Sequence, residues 1–221
     1  MAERKYYPLP RETRGPFDKV LFLDIDGVLN NDHYDPEKPA VDEEMVANLA
    51  YIIRETHAHI VLSSSWKFAW RKLEENDFVP QGRRDEDVLL LKQLLDRWDL
   101  VIEDFTPESD TGPYARPHEI RAWLLNHCEV TSFVILDDDD FWTFGWMNKH
   151  FVCTATPTGS VKWPGYLETT RGLTLDHARE AVSILNDGCP LSYSQQARDK
   201  DDIYRKRIRE RKKALGTQKG Q

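Results

Sequence analysis

Short apolar runs alternate with amphipathic stretches along most of this chain, and that alternation restricts the fold more than any other feature. Runs at Lys19–Asp24 (KVLFLD), His59–Ser63 (HIVLS), Leu100–Phe105 (LVIEDF), Ser132–Leu136 (SFVIL) and His150–Thr154 (HFVCT) read as strands. After the first, Asp42 is placed to cap a helix whose apolar positions Met45, Val46, Leu49, Ile52 and Ile53 share one face, with Glu43 and Glu44 in the turn where the helix dipole favours acid. Helical patterns follow at Phe68–Glu75 and Glu86–Trp98. Further on come a helix opened by Pro117 and a closing helix from Thr174 to Leu185, with Gly188 just beyond it. Strands that alternate with helices pair in parallel and bury both faces of their sheet, so the expected class is α/β.

The chain has 221 residues and is 40% hydrophobic, enough to bury one good core, so one domain is expected. Cys128, Cys153 and Cys189 stand far apart with no C-x-x-C pair, which argues against a disulfide framework or a thiolate zinc site and favours a reducing compartment. The segment MAERKYYPLP lacks the apolar stretch of a signal peptide, and no run approaches the roughly 18 residues that span a bilayer, so a soluble, cytoplasmic protein without membrane partners is expected. The formal charge of −8 is unevenly spread. Arg198–Gln221 holds ten Lys/Arg against four Asp/Glu, a net +6, leaving 20 basic and 34 acidic residues, or −14, before it. That tail reads as a helix from about Asp201 to Leu215 stopped by Gly216; it either docks on the acidic body or binds phosphates.

In a parallel sheet, ligands bind outside the carboxyl ends of the strands. The first strand here ends in Asp24-Ile25-Asp26-Gly27, the second in Ser63-Ser64-Ser65 and the fourth in Asp137-Asp138-Asp139-Asp140. Any one of these is an ordinary loop sequence. Together they bring carboxylates from separate strands to one face, where they repel unless a cation neutralises them. Magnesium suits such a site, since it takes hard oxygen ligands and completes its shell with water and substrate phosphate. The seven histidines show no H-x-H or other ligand spacing and read as structural or surface residues.

The ordered set FLDIDGVLN, IVLSSSWK, RPHEIRAWL, FVILDDDD and RGLTLDHAREAVSILN resembles the haloacid dehalogenase-like (HAD) phosphatases, and within them the HAD domains related to predicted RNA-repair proteins. The resemblance runs from about Lys19 to Asn186. It implies a Rossmann-like three-layer α/β/α sandwich with a central parallel sheet, and with the charge pattern the chain divides into an N-terminal extension (1–17), a HAD-like phosphatase domain (18–190) and a basic, helical C-terminal tail (191–221). It also implies a Mg²⁺-dependent phosphomonoesterase. Asp24 would be the nucleophile that forms an aspartyl-phosphate, and Asp26 the general acid and base whose backbone carbonyl also meets the metal. Ser63 and Ser64 would hold phosphate oxygens, and Asp138 with Asp137 would complete the metal site alongside Asp24 and Asp26. The common pattern of the superfamily has a lysine before the fourth strand. This chain offers Arg116 there, with Lys67 as the other candidate cation on the phosphate. Asp139 and Asp140 read as plain loop residues.

Superfamily members that act on small metabolites commonly carry a cap domain in one of two slots, here the short segments Gly27–Val41 and Glu103–Tyr114, so no separate cap domain is expected. Trp66, Phe68, Trp70, Trp142, Phe144, Trp146, Trp163 and Tyr166 in the longer inserts read either as packing under loops or as a platform on which a base stacks. The expected substrate is phosphorylated, with nucleotides or nucleic-acid ends favoured. The competing readings are a HAD phosphotransferase and a catalytically silent module that binds nucleic acid or protein. Dehalogenation is disfavoured, since it has no use for an acid at Asp26.

Overall fold

The computed structural model describes residues 16–31, 39–73, 78–108, 115–139, 147, 149–163, 166–170 and 172–187. The expected tail helix, the Gly188 stop, nearly all of the N-terminal extension, Asp140, Trp142, Phe144 and Trp146 lie outside these residues.

Five strands, β1 (Lys19–Leu23), β2 (His59–Leu62), β3 (Ile102–Phe105), β4 (Ser132–Asp137) and β5 (Phe151–Cys153), form one all-parallel sheet in the order β3-β2-β1-β4-β5. This is the expected Rossmann-like α/β architecture of a HAD fold. The strands are nearly continuous apolar runs because both faces are covered. Leu21, Leu23, Ile60, Leu62, Val134 and Leu136 point to one side and pack with α1 (Glu43–Thr56), α2 (Lys67–Lys72), α3 (Arg83–Arg97) and α5 (Leu175–Asp187). Their neighbours Val20, Phe22, Val61, Phe133 and Ile135 point to the other and meet Ile120, Trp123 and Leu124 of α4 (Ala115–Asn126). The period-two alternation of the strands thus divides the core into two layers, each side chain so buried contributing roughly 1.5–3 kcal/mol.

Local signals set the element ends. The Asp42 carboxylate accepts from Glu44 N–H at 2.8 Å, capping α1 as its sequence suggests, and His57 closes the helix in the left-handed region at φ 55°. A two-stranded antiparallel hairpin, β6 (Thr156–Trp163) with β7 (Tyr166–Thr170), stands apart from the main sheet and falls within the insert that the sequence reading left without structure. Among the described residues, no helix is long and apolar enough to cross a membrane.

Candidate active site

From β1 the chain lays β2 and β3 on one side and β4 and β5 on the other, so the carboxyl ends of β1 and β4 flank a topological switch point. Backbone bonds keep those ends level: Asp24 N–H donates to Leu136 O at 3.0 Å, Ser63 N–H to Leu23 O at 2.9 Å and Thr154 N–H to Asp137 O at 2.9 Å. The Thr154 hydroxyl also donates to Gly27 O at 2.7 Å, tying the end of β5 to the loop after β1.

At the switch point Asp24, Asp137 and Asp138 each offer a carboxylate oxygen within 4.8 Å of the others. Arg116 of α4 bridges the two buried members, its Nη1 donating to Asp24 Oδ2 at 2.6 Å and to Asp137 Oδ2. Among the described residues this guanidinium meets Asp24 and Asp137, two of the three carboxylates. Burial, with the Asp24 charge behind it, pushes Asp137 up to about 7 against the opposing pull of Arg116. For Arg116 itself burial acts downward, but the charges and hydrogen bonds of both aspartates outweigh it and raise its pKa, so it stays a cation.

Two buried oxygens here, Asp24 Oδ1 and Ser63 Oγ, have no hydrogen-bond partner among the described residues. Native structures rarely leave such groups bare, because each costs about 1–3 kcal/mol of desolvation. Three clustered carboxylates that offer hard oxygens, with one cation on them among the described residues, fit a divalent cation such as magnesium, while the bare Asp24 Oδ1 and Ser63 hydroxyl fit an incoming phosphoryl group.

The Asp26 side chain lies outside that cluster. It is half exposed and accepts hydrogen bonds from Trp66 Nε1 at 3.0 Å and Asn30 Nδ2 at 3.2 Å. Asn30 in turn accepts from Gly27 N–H at 2.8 Å and donates to Ala40 O at 3.0 Å, so one amide ties Gly27 to Ala40. Of the two candidate cations, Arg116 touches the carboxylates, whereas Lys67 is turned into the protein. Its Nζ donates to Glu119 Oε2 at 2.7 Å, Thr106 Oγ1 at 3.1 Å and Pro107 O at 3.4 Å. Burial lowers the Lys67 pKa, against the raising pull of Glu119. Ser64 is buried and accepts from Trp66 N–H at 3.4 Å. Asp139 contributes its backbone, with its N–H on Asp137 Oδ1 at 3.0 Å. Trp66 and Trp70 belong to the core, while Phe68 is 49% exposed.

Sequence reasoning gave no part to Asn30, Arg84, Thr106, Glu119 or Thr154. Asn30 and Glu119 sat inside quoted motifs with nothing to set them apart, and the others come into play only through tertiary contacts.

The sheet and its acidic strand ends define a HAD-like α/β protein. The chain matches the family described as the HAD domain in Swiss Army Knife RNA repair proteins over residues 20–160, and it belongs to that family. No curated protein and no solved structure matches it. Membership points to a HAD-type phosphatase or a related function, and in general to a hydrolase of the phosphatase type.

Proposed function

We propose that this protein is a Mg²⁺-dependent phosphomonoesterase that acts through an aspartyl-phosphate. The observation that carries the reading is Asp24 Oδ1, buried without a partner among the described residues, beside Arg116 and two further carboxylates. Asp24 attacks phosphorus through that oxygen, forming a carboxyl–phosphorus bond as the bond to the ester oxygen breaks. Asp26 gives its proton to the departing oxygen, then takes one from the water that opens the acyl phosphate. Arg116 spans the nucleophile and Asp137 and presents a fixed positive charge to the phosphoryl oxygens, and Ser63 Oγ and nearby backbone N–H groups receive another. Asp24, Asp137 and Asp138 would hold the magnesium ion, which when bound neutralises charge on the transferring group. Asn30 and Trp66 fix the rotamer of Asp26. Lys67, committed to Glu119, is a structural cation rather than a phosphate ligand.

The test uses a generic aryl phosphate. Turnover is expected with Mg²⁺, to stop on chelation, and to vanish in Asp24→Asn while circular dichroism stays that of the wild type. An Asp24→Asn protein that turns over at the wild-type rate would defeat the reading.

For the substrate we favour nucleotides or nucleic-acid end phosphates. The family description names RNA repair proteins, the two cap slots are short, and the tail carries +6 against −14 before it. If the tail grips backbone phosphates, removing Arg198–Gln221 weakens oligonucleotide binding and flattens its fall with salt. Equal binding with and without the tail rules out that role.

A further inference from the structure

Arg84, in the first turn of α3, has no part in the chemistry above, yet it stands at the acid. Its guanidinium carbon lies 4.6 Å from the centre of the Trp66 ring, the same ring whose Nε1 holds Asp26, and its Nη2 is 3.7 Å from Asp26 Oδ2. This cation–π contact holds the guanidinium over the face of a buried indole. The distance to Asp26 exceeds hydrogen-bond reach, Asp87 acts on the guanidinium by charge alone, and half of the side chain is open to water, so among the described residues its donors face solvent rather than a hydrogen-bond partner. An oxygen that collects its proton from Asp26 leaves on an alcohol lying within one guanidinium of Arg84.

Resting on the phosphatase reading, we infer that Arg84 forms a second anion subsite on the leaving-group side, which selects phosphomonoesters whose alcohol carries another phosphate. Two sources share that chemistry: a free nucleoside bisphosphate, and a nucleic-acid end in which a terminal phosphate is followed by a phosphodiester. A planar fork of donors held in place by Trp66 suits either anion, and an uncharged alcohol gains nothing from it. Contact with a phosphate that does not react is made equally in the ground and transition states, so its mark is on KM rather than kcat.

The experiment measures kcat and KM of the wild type, Arg84→Ala, Arg84→Gln and Arg84→Lys on a nucleoside monophosphate, a nucleoside 3′,5′-bisphosphate and a terminally phosphorylated dinucleotide, with melting curves for each protein. The wild type is expected to favour one or both doubly charged substrates by about tenfold in kcat/KM, as one charge-assisted hydrogen bond provides. That advantage should collapse in Arg84→Ala and Arg84→Gln and survive in part in Arg84→Lys. A preference confined to the bisphosphate names the small molecule; one that includes the dinucleotide names the nucleic-acid end. Wild-type turnover of the esters without preference overturns the subsite and leaves the phosphatase standing. An equal fall on every ester also overturns it, because that is the mark of an arginine acting only by positioning Asp26. Absence of turnover on all three esters and on the aryl phosphate removes the phosphatase reading and this inference with it.

Discussion

At Gly27 the backbone runs at φ +72°, and a β-carbon built there would lie 2.3 Å from the carboxylate of Asp138. Two penalties follow from one methyl group. The left-handed conformation costs an ordinary residue about 1–2 kcal/mol, and the clash is relieved only if the Asp138 side chain shifts. Gly27→Ala is therefore expected to lower stability modestly in urea melts but to reduce Mg²⁺-dependent phosphatase activity by about 100-fold or more, in keeping with misplacement of a group at the reacting centre. A variant with near wild-type turnover would show that Asp138 can shift freely. At this scale the acidic residues were legible because D-x-D and D-D sit where apolar runs stop, and a strand end is a place that sequence can locate. Asn30, Trp66 and Arg84 were not. Their shared partner Asp26 lies 4 residues from Asn30, 40 from Trp66 and at the foot of a helix that only the fold brings near.

Between elements, the pair Lys67–Glu119 joins the start of α2 to α4, with Thr106 at the end of β3 bonded to both. Lys67 is 2% exposed, so its charge depends on Glu119. Removing one partner of such a pair costs about 3–5 kcal/mol, whereas replacing both by apolar groups is often close to neutral. Glu119→Leu is expected to be strongly destabilising, and Lys67→Met with Glu119→Leu to recover much of the loss, read as a coupling energy from a double-mutant cycle of urea unfolding. Additive single effects would show that the two side chains do not depend on each other. Glu119 lies one turn after Arg116 on α4, so the same pair steadies the helix that carries the bridging arginine. The five parallel strands and the helices between them were legible from their periods, with ends displaced by a few residues: α3 starts at Arg83 rather than Glu86, while the expected end of α2 at Glu75 lies outside the described residues. The β6–β7 hairpin was not. Pro157 and Gly159 interrupt the first of its strands, and both residues count against a strand in sequence although an isolated two-stranded ribbon tolerates them. The Pro164-Gly165 dipeptide between the strands was the available turn signal.

Across the whole molecule, the parallel class followed from the alternation of runs, but the central place of β1 did not, and it is this order that sets Asp24 beside Asp137. Global stability should carry a different mark, on a residue that none of those carboxylates bonds among the described residues. His150, just before β5, is buried, with its ring centre 4.8 Å from that of Phe133. Burial, then the charge of Lys149, lowers its pKa to about 4, against a smaller raising contribution from a backbone bond with Phe133. In the unfolded chain the imidazole titrates near 6.5. Between these two values the unfolded state binds a proton that the folded state does not, so the contribution of His150 to stability is intact above about pH 6.5 and declines as pH falls towards 4. At pH 5 the loss from this group amounts to roughly 2 kcal/mol. Carboxylates add their own acid sensitivity, which a comparison of variants cancels. Urea midpoints of the wild type and His150→Phe at pH 7.5 and pH 5 separate the histidine: the wild type should lose roughly 2 kcal/mol more than the variant over that interval. Equal losses in the two proteins would mean that the folded state accepts the proton on His150 as readily as the unfolded chain does.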